Sequence, residues 1–404
     1  MQALQAAQCF DGERFRTEGV TVLVEGERIV GVEPLGYDVP DGVEVTTYDG
    51  TLLPGLVDAH VHLVSLGALP GQPGSLESAG GLDDDGLDAV IAQALSAQAA
   101  AGVTTVRDLG DRGYRTLMAR DRRTAGEPRI LAAGPPLTVP GGHCHYLGGA
   151  VDGPAAVRAL VREHVERGVD LVKVMASGGM VTIGTDLLGV QFTAEELRAA
   201  VDETHRAGLR LVAHCQSEAG ARHAVAAGAD GLEHATMLTA DGVATPEDLI
   251  EEIAARGLTV DPTLGADPAR VPPLDQAPPH VRAVIERVGM SPVQVAERRA
   301  RQLARMHQGG VRLVSGLDAG AAPPKPHGHV WRSVVALSDA GLSAAEAVAT
   351  ATSVAADDCG LAGETGRIAV GRAADLLVVD GDLSGDLGAL ARPVHVWVRG
   401  TAVR

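Results

Sequence analysis

The chain has 404 residues, 45% hydrophobic and 21% charged, with a net charge of −18; it has apolar material for one large core or two smaller ones, and its acidity argues against a nucleic-acid or anionic-lipid partner. No stretch approaches the roughly 18 uncharged apolar residues of a membrane helix, and the start, Met1-Gln-Ala-Leu-Gln-Ala-Ala-Gln-Cys-Phe10, lacks the basic region and apolar core of a signal peptide. Cys9, Cys144, Cys215 and Cys359 stand far apart, which excludes a disulfide scaffold or a cysteine-only zinc knuckle and suits the reducing, cytoplasmic setting we expect.

In chain order, residues 1–55 read as short strands joined by turns. The runs 20–25 and 28–32 flank a Glu-Gly-Glu turn and predict a β-hairpin. Eight apolar runs follow, at 55–62, 102–108, 129–134, 169–176, 209–214, 231–234, 258–263 and 311–318. Between them, stretches such as 83–101, 154–168, 194–208, 218–228 and 279–309 carry apolar residues at spacings of three and four and often end at glycine, as helices do. The alternation predicts an α/β fold, a (β/α)₈ barrel of the TIM type. An open doubly wound sheet fits less well, because no glycine-rich phosphate loop follows an early strand. The Pro- and Gly-rich stretches 67–81 and 267–279 fall after the first and seventh runs and predict rim loops. Residues 374–380 and 394–400 return to strand patterning.

His60 and His62 lie two apart at the end of the first run, so both imidazoles share a face and can reach one metal ion. Lys173 is one of only two lysines among 34 basic residues, the other being Lys325, and shares a strand face with Leu171 and Met175. An ammonium there is expensive to desolvate. Its outcomes are a neutral amine, a Schiff base, a carbamate that bridges cations, or pairing with a nearby carboxylate. His214 and His234 each end a successive run, and Asp318 ends the eighth. Six ligand-type residues at strand ends, where this fold builds its active sites, are hard to assign to packing. Asp58 shares a face with His60, as a ligand-orienting or merely structural carboxylate.

These motifs resemble the metal-dependent amidohydrolase superfamily over nearly the whole chain, in its imidazolonepropionase-related branch that includes prolidase-like dipeptidases. The carrying segments are Leu53-Pro-Gly-Leu-Val-Asp-Ala-His-Val-His62, Val172-Lys-Val-Met-Ala-Ser-Gly-Gly179, His214, Gly228-Ala-Asp-Gly-Leu-Glu-His234, Ser315-Gly-Leu-Asp318 and Gly366-Arg-Ile-Ala-Val-Gly-Arg-Ala-Ala-Asp-Leu376. The resemblance implies two divalent ions, zinc: His60, His62 and Asp318 on one, His214 and His234 on the other, with carboxylated Lys173 and a hydroxide as bridges. It further implies that Asp318 carries the hydroxide's proton to the leaving amine. It also implies a small β-sandwich domain assembled from residues 1–55 and 364–404 around a barrel at 56–363, and a homo-oligomer.

The branch uses a histidine after the third strand to contact substrate, and His145 is expected in that role ahead of His143. Cys144 between them is a poor nucleophile partner for either, since neighbours on an extended chain point apart. Tyr146, Gly178, His329 and Arg332 are further candidates for the pocket; His329, Arg332 or Tyr146 would meet a substrate carboxylate. The expected substrate is a dipeptide or N-acyl amino acid, with lactams, carbamates, aryl amides and esters open. A mononuclear deaminase fits less well, because Ser217 stands where its proton-shuttling glutamate is expected three residues after His214, and because Lys173 would have no metal role. A silent scaffold would lack the ligands that are all present here.

Overall fold

The computed structural model describes residues 1–403. The strands begin with β1 (Gln2–Phe10), β2 (Phe15–Arg16), β3 (Val20–Glu25), β4 (Arg28–Pro34) and β5 (Glu44–Pro54). The middle of the chain holds β6 (Leu56–Val61), β7 (Val103–Asp108), β8 (Arg129–Ala132), β9 (Val172–Met175), β10 (Leu211–Ser217), β11 (Gly231–Thr239), β12 (Gly242–Val243), β13 (Thr259–Asp261) and β14 (Arg312–Leu313). Last come β15 (Leu376–Val379), β16 (Pro393–Val398) and β17 (Thr401–Ala402). No helix among the described residues is long and apolar enough to cross a membrane.

Both chain ends enter one eight-stranded sheet, in the order β17-β16-β15-β5-β1-β3-β4 with β2 beside β1. The expected hairpin is β3–β4, paired from Val20↔Pro34 to Glu25↔Arg28 around Gly26, whose φ of 56° suits the turn. The seam between the two ends is β5–β15, antiparallel with Leu53 opposite Leu377. Leu4, Val22, Leu52, Leu376, Val378 and Trp397 share one buried cluster. Buried side chains of this kind contribute about 1.5–3 kcal/mol each. Deletion of residues 364–404 is therefore expected to lower the melting temperature of the remaining chain by on the order of 10 °C or more; unchanged melting would sink that reading.

Each of the eight central runs contains a strand. β6, β7 and β8 form one parallel sheet; β9, β10, β11, β13 and β14 form a second, with β12 antiparallel on the edge of β11. β6, β7, β9 and β10 are buried at every position, which is why they read as apolar runs rather than as alternation. Helices Asp84–Ala100, Pro154–Arg167, Ala194–Arg206 and Glu218–Ala227 lie where spacing put them. The third starts at the Thr193–Glu196 capping box, and the second and fourth stop at left-handed Gly168 and Gly228. The stretch 279–309 is two helices, Pro279–Val288 and Pro292–Gln308. Gly289, at φ 64°, ends the first, and Ser291 caps the second through a box with Gln294.

The expected single ladder is instead two sheets joined by local backbone bonds. At one seam Leu137 N donates to Lys173 O (2.8 Å) and Met175 N to Leu137 O (2.8 Å), beyond Pro135 and Pro136, which have no N–H to extend β8. At the other, Ala59 N donates to Ser315 O (3.1 Å), Ala319 N to His60 O (3.1 Å) and His62 N to Ala319 O (2.8 Å). This second seam stitches Asp318 between the two histidines of β6.

Candidate active site

β6 delivers His60 and His62 with ring centroids 5.4 Å apart. Asp318 Oδ1 lies 3.4 Å from His60 Nε2 and 3.3 Å from His62 Nε2, and the three residues offer ligand atoms all within 4.8 Å of one another. Asp318 is held at φ 62°, a left-handed conformation that aspartate tolerates better than most residues. His62 Nδ1 sits 3.3 Å from Gly110 O, which orients the ring. Gly316 is required two residues before Asp318, because a Cβ there would stand 1.9 Å from Asp261 Oδ2 and 2.6 Å from His60 Cβ. Burial pushes the Asp318 carboxyl up, but Lys325, His60, His62 and His234 outweigh it and hold it well below the usual carboxylate range.

His214 and His234 stand with ring centroids 4.5 Å apart, and His234 is 5.2 Å from His60. His214 Nε2 lies 3.1 Å from Gly178 O, while His234 Nδ1 meets Thr263 Oγ1 at 2.8 Å. Lys173 is 1% exposed and its Nζ has no hydrogen-bond partner among the described residues. Burial pushes its ammonium down; the negative charges of Glu233 and Asp318 oppose this without cancelling it. His60, also buried and facing Lys173, is lowered to about 4. Neutral imidazoles, an ionised carboxylate and an amine biased toward its neutral form are the donor states a divalent cation selects.

The remaining candidates divide. His143, not the favoured His145, joins the cluster: it is buried with its ring 4.5 Å from that of His214, and Gly179 leaves it room, since a Cβ there would be 2.3 Å from the imidazole. His145 stands exposed with Nδ1 2.9 Å from Gly142 O. Cys144 between them is at φ 58°, a turn that sends the two rings to different surroundings. Tyr146 OH lies 3.3 Å from Thr182 Oγ1 and 3.8 Å from Cys144 Sγ. Arg332 is occupied by Asp267 (3.3 Å) and stacks on Trp331, and His329 lines a recess against Ala97, Ala101 and Leu390. Asp58 accepts from the backbone of Leu317 (2.9 Å) and His60 (3.3 Å), so it fixes main chain rather than an imidazole.

The chain matches the amidohydrolase family over residues 51–403. It belongs to that family. An uncharacterized protein of Mycobacterium tuberculosis is 29% identical over 388 residues, 94% of this chain and 90% of the relative. The Aspergillus niger ochratoxinase is 27% identical over 253 residues, 55% of this chain and 52% of that one. Among solved structures, a Xaa-Pro dipeptidase with methionine bound in its active site superposes with a TM-score of 0.87 at 25% identity, covering 99% of both chains. This amidohydrolase is a hydrolase, like those enzymes.

The amidohydrolase site also contains groups that motif reading passed over. Glu233 Oε2 lies 2.7 Å from His60 Nδ1, and Asp261 Oδ2 lies 3.9 Å from the same nitrogen. Beneath them Arg107, 3% exposed, sits 3.4 Å from Glu233 and 2.7 Å from Asp358, and donates to Ala59 O at 2.8 Å. Glu233 and His234 are adjacent, and neighbours on a strand face opposite ways. His234 at φ 65° and Ala235 at φ 42° break that alternation, so both side chains reach His60. Nothing in apolar spacing announces such a break. Lys325, the second lysine, completes the group, with Nζ 3.4 Å from Asp318 Oδ2.

Proposed function

We propose that this amidohydrolase cleaves the amide bond of a dipeptide or N-acyl amino acid at a site holding two divalent metal ions. The observation that carries the proposal is the convergence of His60, His62 and Asp318 within 4.8 Å. His60, His62 and Asp318 would hold one ion, and His214 and His234 the second, with Lys173 as a carbamate between them. Bound zinc would polarise the scissile carbonyl and make a water acidic enough to ionise near neutral pH. Lys173 supports the carbamate reading on its own chemistry: a buried amine with a depressed pKa and no partner is nucleophilic toward carbon dioxide, and the product turns an orphaned cation into an anionic oxygen ligand.

The chain's own residues then divide the work. Asp318, ionised and 12% exposed at its side chain, accepts a proton at a carboxylate oxygen and returns it to the leaving nitrogen. Thr263 fixes the His234 ring, Gly110 fixes His62, and Glu233 faces the outer nitrogen of His60. His143, buried beside His214, takes the substrate-contacting role. The two seams support a closed (β/α)₈ barrel as the frame, with the sheet from both chain ends as a separate small domain.

The test is mass-spectrometric detection of products from a library of dipeptides and N-acyl amino acids, with protein reconstituted in zinc and bicarbonate. Release of C-terminal amino acids is expected. No release from protein verified to carry two metals would move the assignment to an aryl amide, lactam, carbamate or ester. Lys173→Met adds a second expectation. Zinc content should fall from two toward one per chain and turnover should be lost, while melting of the metal-free protein does not drop, because a buried amine without a hydrogen-bond partner is removed. Two zincs and full turnover in that variant would exclude Lys173 as a ligand.

A further inference from the structure

Of the expected carboxylate-binding cations, Arg332 pairs with Asp267 and stacks on Trp331, and His329 lines a recess with Ala97, Ala101 and Leu390. Lys325 is placed where they are not. Its Nζ donates to Thr263 O at 3.0 Å and to Asp318 Oδ2 at 3.4 Å, and its side chain keeps 18% exposure. An ammonium has three donors, so one remains for a ligand on that open side.

The loop that presents Lys325 is built to hold it still. Pro324 and Pro326 flank it, Lys325 N donates to Ala322 O (2.9 Å), and Lys325 O accepts from Gly320 N (2.8 Å). Asp267 N binds Pro324 O at 2.7 Å, and beyond the lysine His327 Nε2 sits 2.8 Å from Ser65 O. Thr263 is a β-branched residue at φ 47°, where such residues are rarely found. That conformation lets its carbonyl receive Lys325 while its hydroxyl meets His234. Apart from Lys173 the chain's lysine and arginine positions are all arginine, so a lysine at this point is a choice of a compact cation over a wide planar one.

We infer that Lys325 anchors the carboxylate of the substrate, which makes this enzyme selective for amides whose leaving amine carries a free α-carboxylate. The inference rests on the reading of Asp318 as the group that protonates that amine. An α-carboxylate carbon is two bonds from the scissile nitrogen, so a cation adjoining the second oxygen of Asp318 lies on the side where that carboxylate falls. The competing role, in which Lys325 only neutralises Asp318, would affect charged and neutral ligands alike.

The experiment is calorimetric titration of the zinc-loaded protein with N-methylsulfonyl-L-methionine and with its primary carboxamide. The sulfonamide link is not a scissile carboxamide, so binding is read without turnover. Wild type is expected to bind the acid tenfold or more tightly than the amide. In Lys325→Met the ratio should collapse to near one, with the loss confined to the acid, and Lys325→Arg should retain part of the preference; melting curves confirm that the variants fold. A wild-type ratio near one, no binding of the acid at millimolar concentration, an unchanged ratio in Lys325→Met, or equal losses for both ligands would each overturn the inference. The two readings fail separately. Acid preference with no amino acid released from the library leaves the anchor standing without the peptidase. Equal release from free-acid and amidated peptides leaves the peptidase without the anchor.

Discussion

Asp318→Asn is expected to retain its bound zinc and to lose turnover by about 10²–10⁴-fold, the usual worth of a positioned proton-transfer group. Asparagine is nearly the same shape and keeps one carbonyl oxygen, so it can occupy the position between His60 and His62, both within 3.4 Å of Oδ1 in the wild type. It cannot take up and release a proton. The surroundings matter to that role: burial alone would favour a neutral acid, yet Lys325, His60, His62 and His234 keep Asp318 ionised. Steady-state rates on the library's best substrate, with zinc measured on the same samples, decide the matter. A variant within tenfold of wild type would remove Asp318 from proton transfer. Joint loss of zinc and turnover would reassign it to holding the ion.

Much of the fold was legible because a parallel sheet buried on both faces leaves a simple trace, short apolar runs separated by helical stretches that often end at glycine, and all eight runs contain strands. The candidate ligands were legible for the complementary reason: a histidine, lysine or aspartate interrupting such a run is conspicuous against Val and Leu. What escaped depends on single dihedrals or on contacts across the chain. His143 and His145 are equivalent in sequence, and the φ of 58° at Cys144 separates them. Glu233 carried no signal of its own in the sequence, and the left-handed backbone at His234 is what lets both neighbours reach His60. Arg332 carried the right charge, but Asp267, 65 positions earlier, had already claimed it. Lys325 was marked as unusual by composition, while its place beside Asp318 follows from a proline-flanked loop folding back, which no local pattern encodes. The single ladder gave way to two sheets where Pro135 and Pro136 remove the donors needed to continue β8.

The same closeness of charges predicts a large effect on stability. Arg107→Leu is expected to destabilise the protein by about 3–5 kcal/mol, because it breaks a buried ionic network from one side. The guanidinium is 3% exposed and meets Asp358 Oδ2 at 2.7 Å, Glu233 Oε1 at 3.4 Å and Ala59 O at 2.8 Å. Removing it strands carboxylates that are themselves almost wholly buried, and the cost is their uncompensated charge rather than the lost attraction alone. Asp358 is partly insured by Arg210 and Thr259, each at 2.7 Å, so the heavier loss falls on Glu233 and through it on His60. The double variant Arg107→Leu/Asp358→Leu should therefore recover part of the stability, since Arg210 is 39% exposed and can turn to water. Guanidinium denaturation midpoints of zinc-loaded wild type, single and double variants measure both statements. A single variant as stable as wild type would mean that the network contributes only position, and a double variant worse than the single would mean that Asp358 matters chiefly to Arg210 and Thr259. If the network also holds Glu233 against His60, Arg107→Leu should weaken zinc retention under chelator, a readout that a purely structural arginine would leave unchanged.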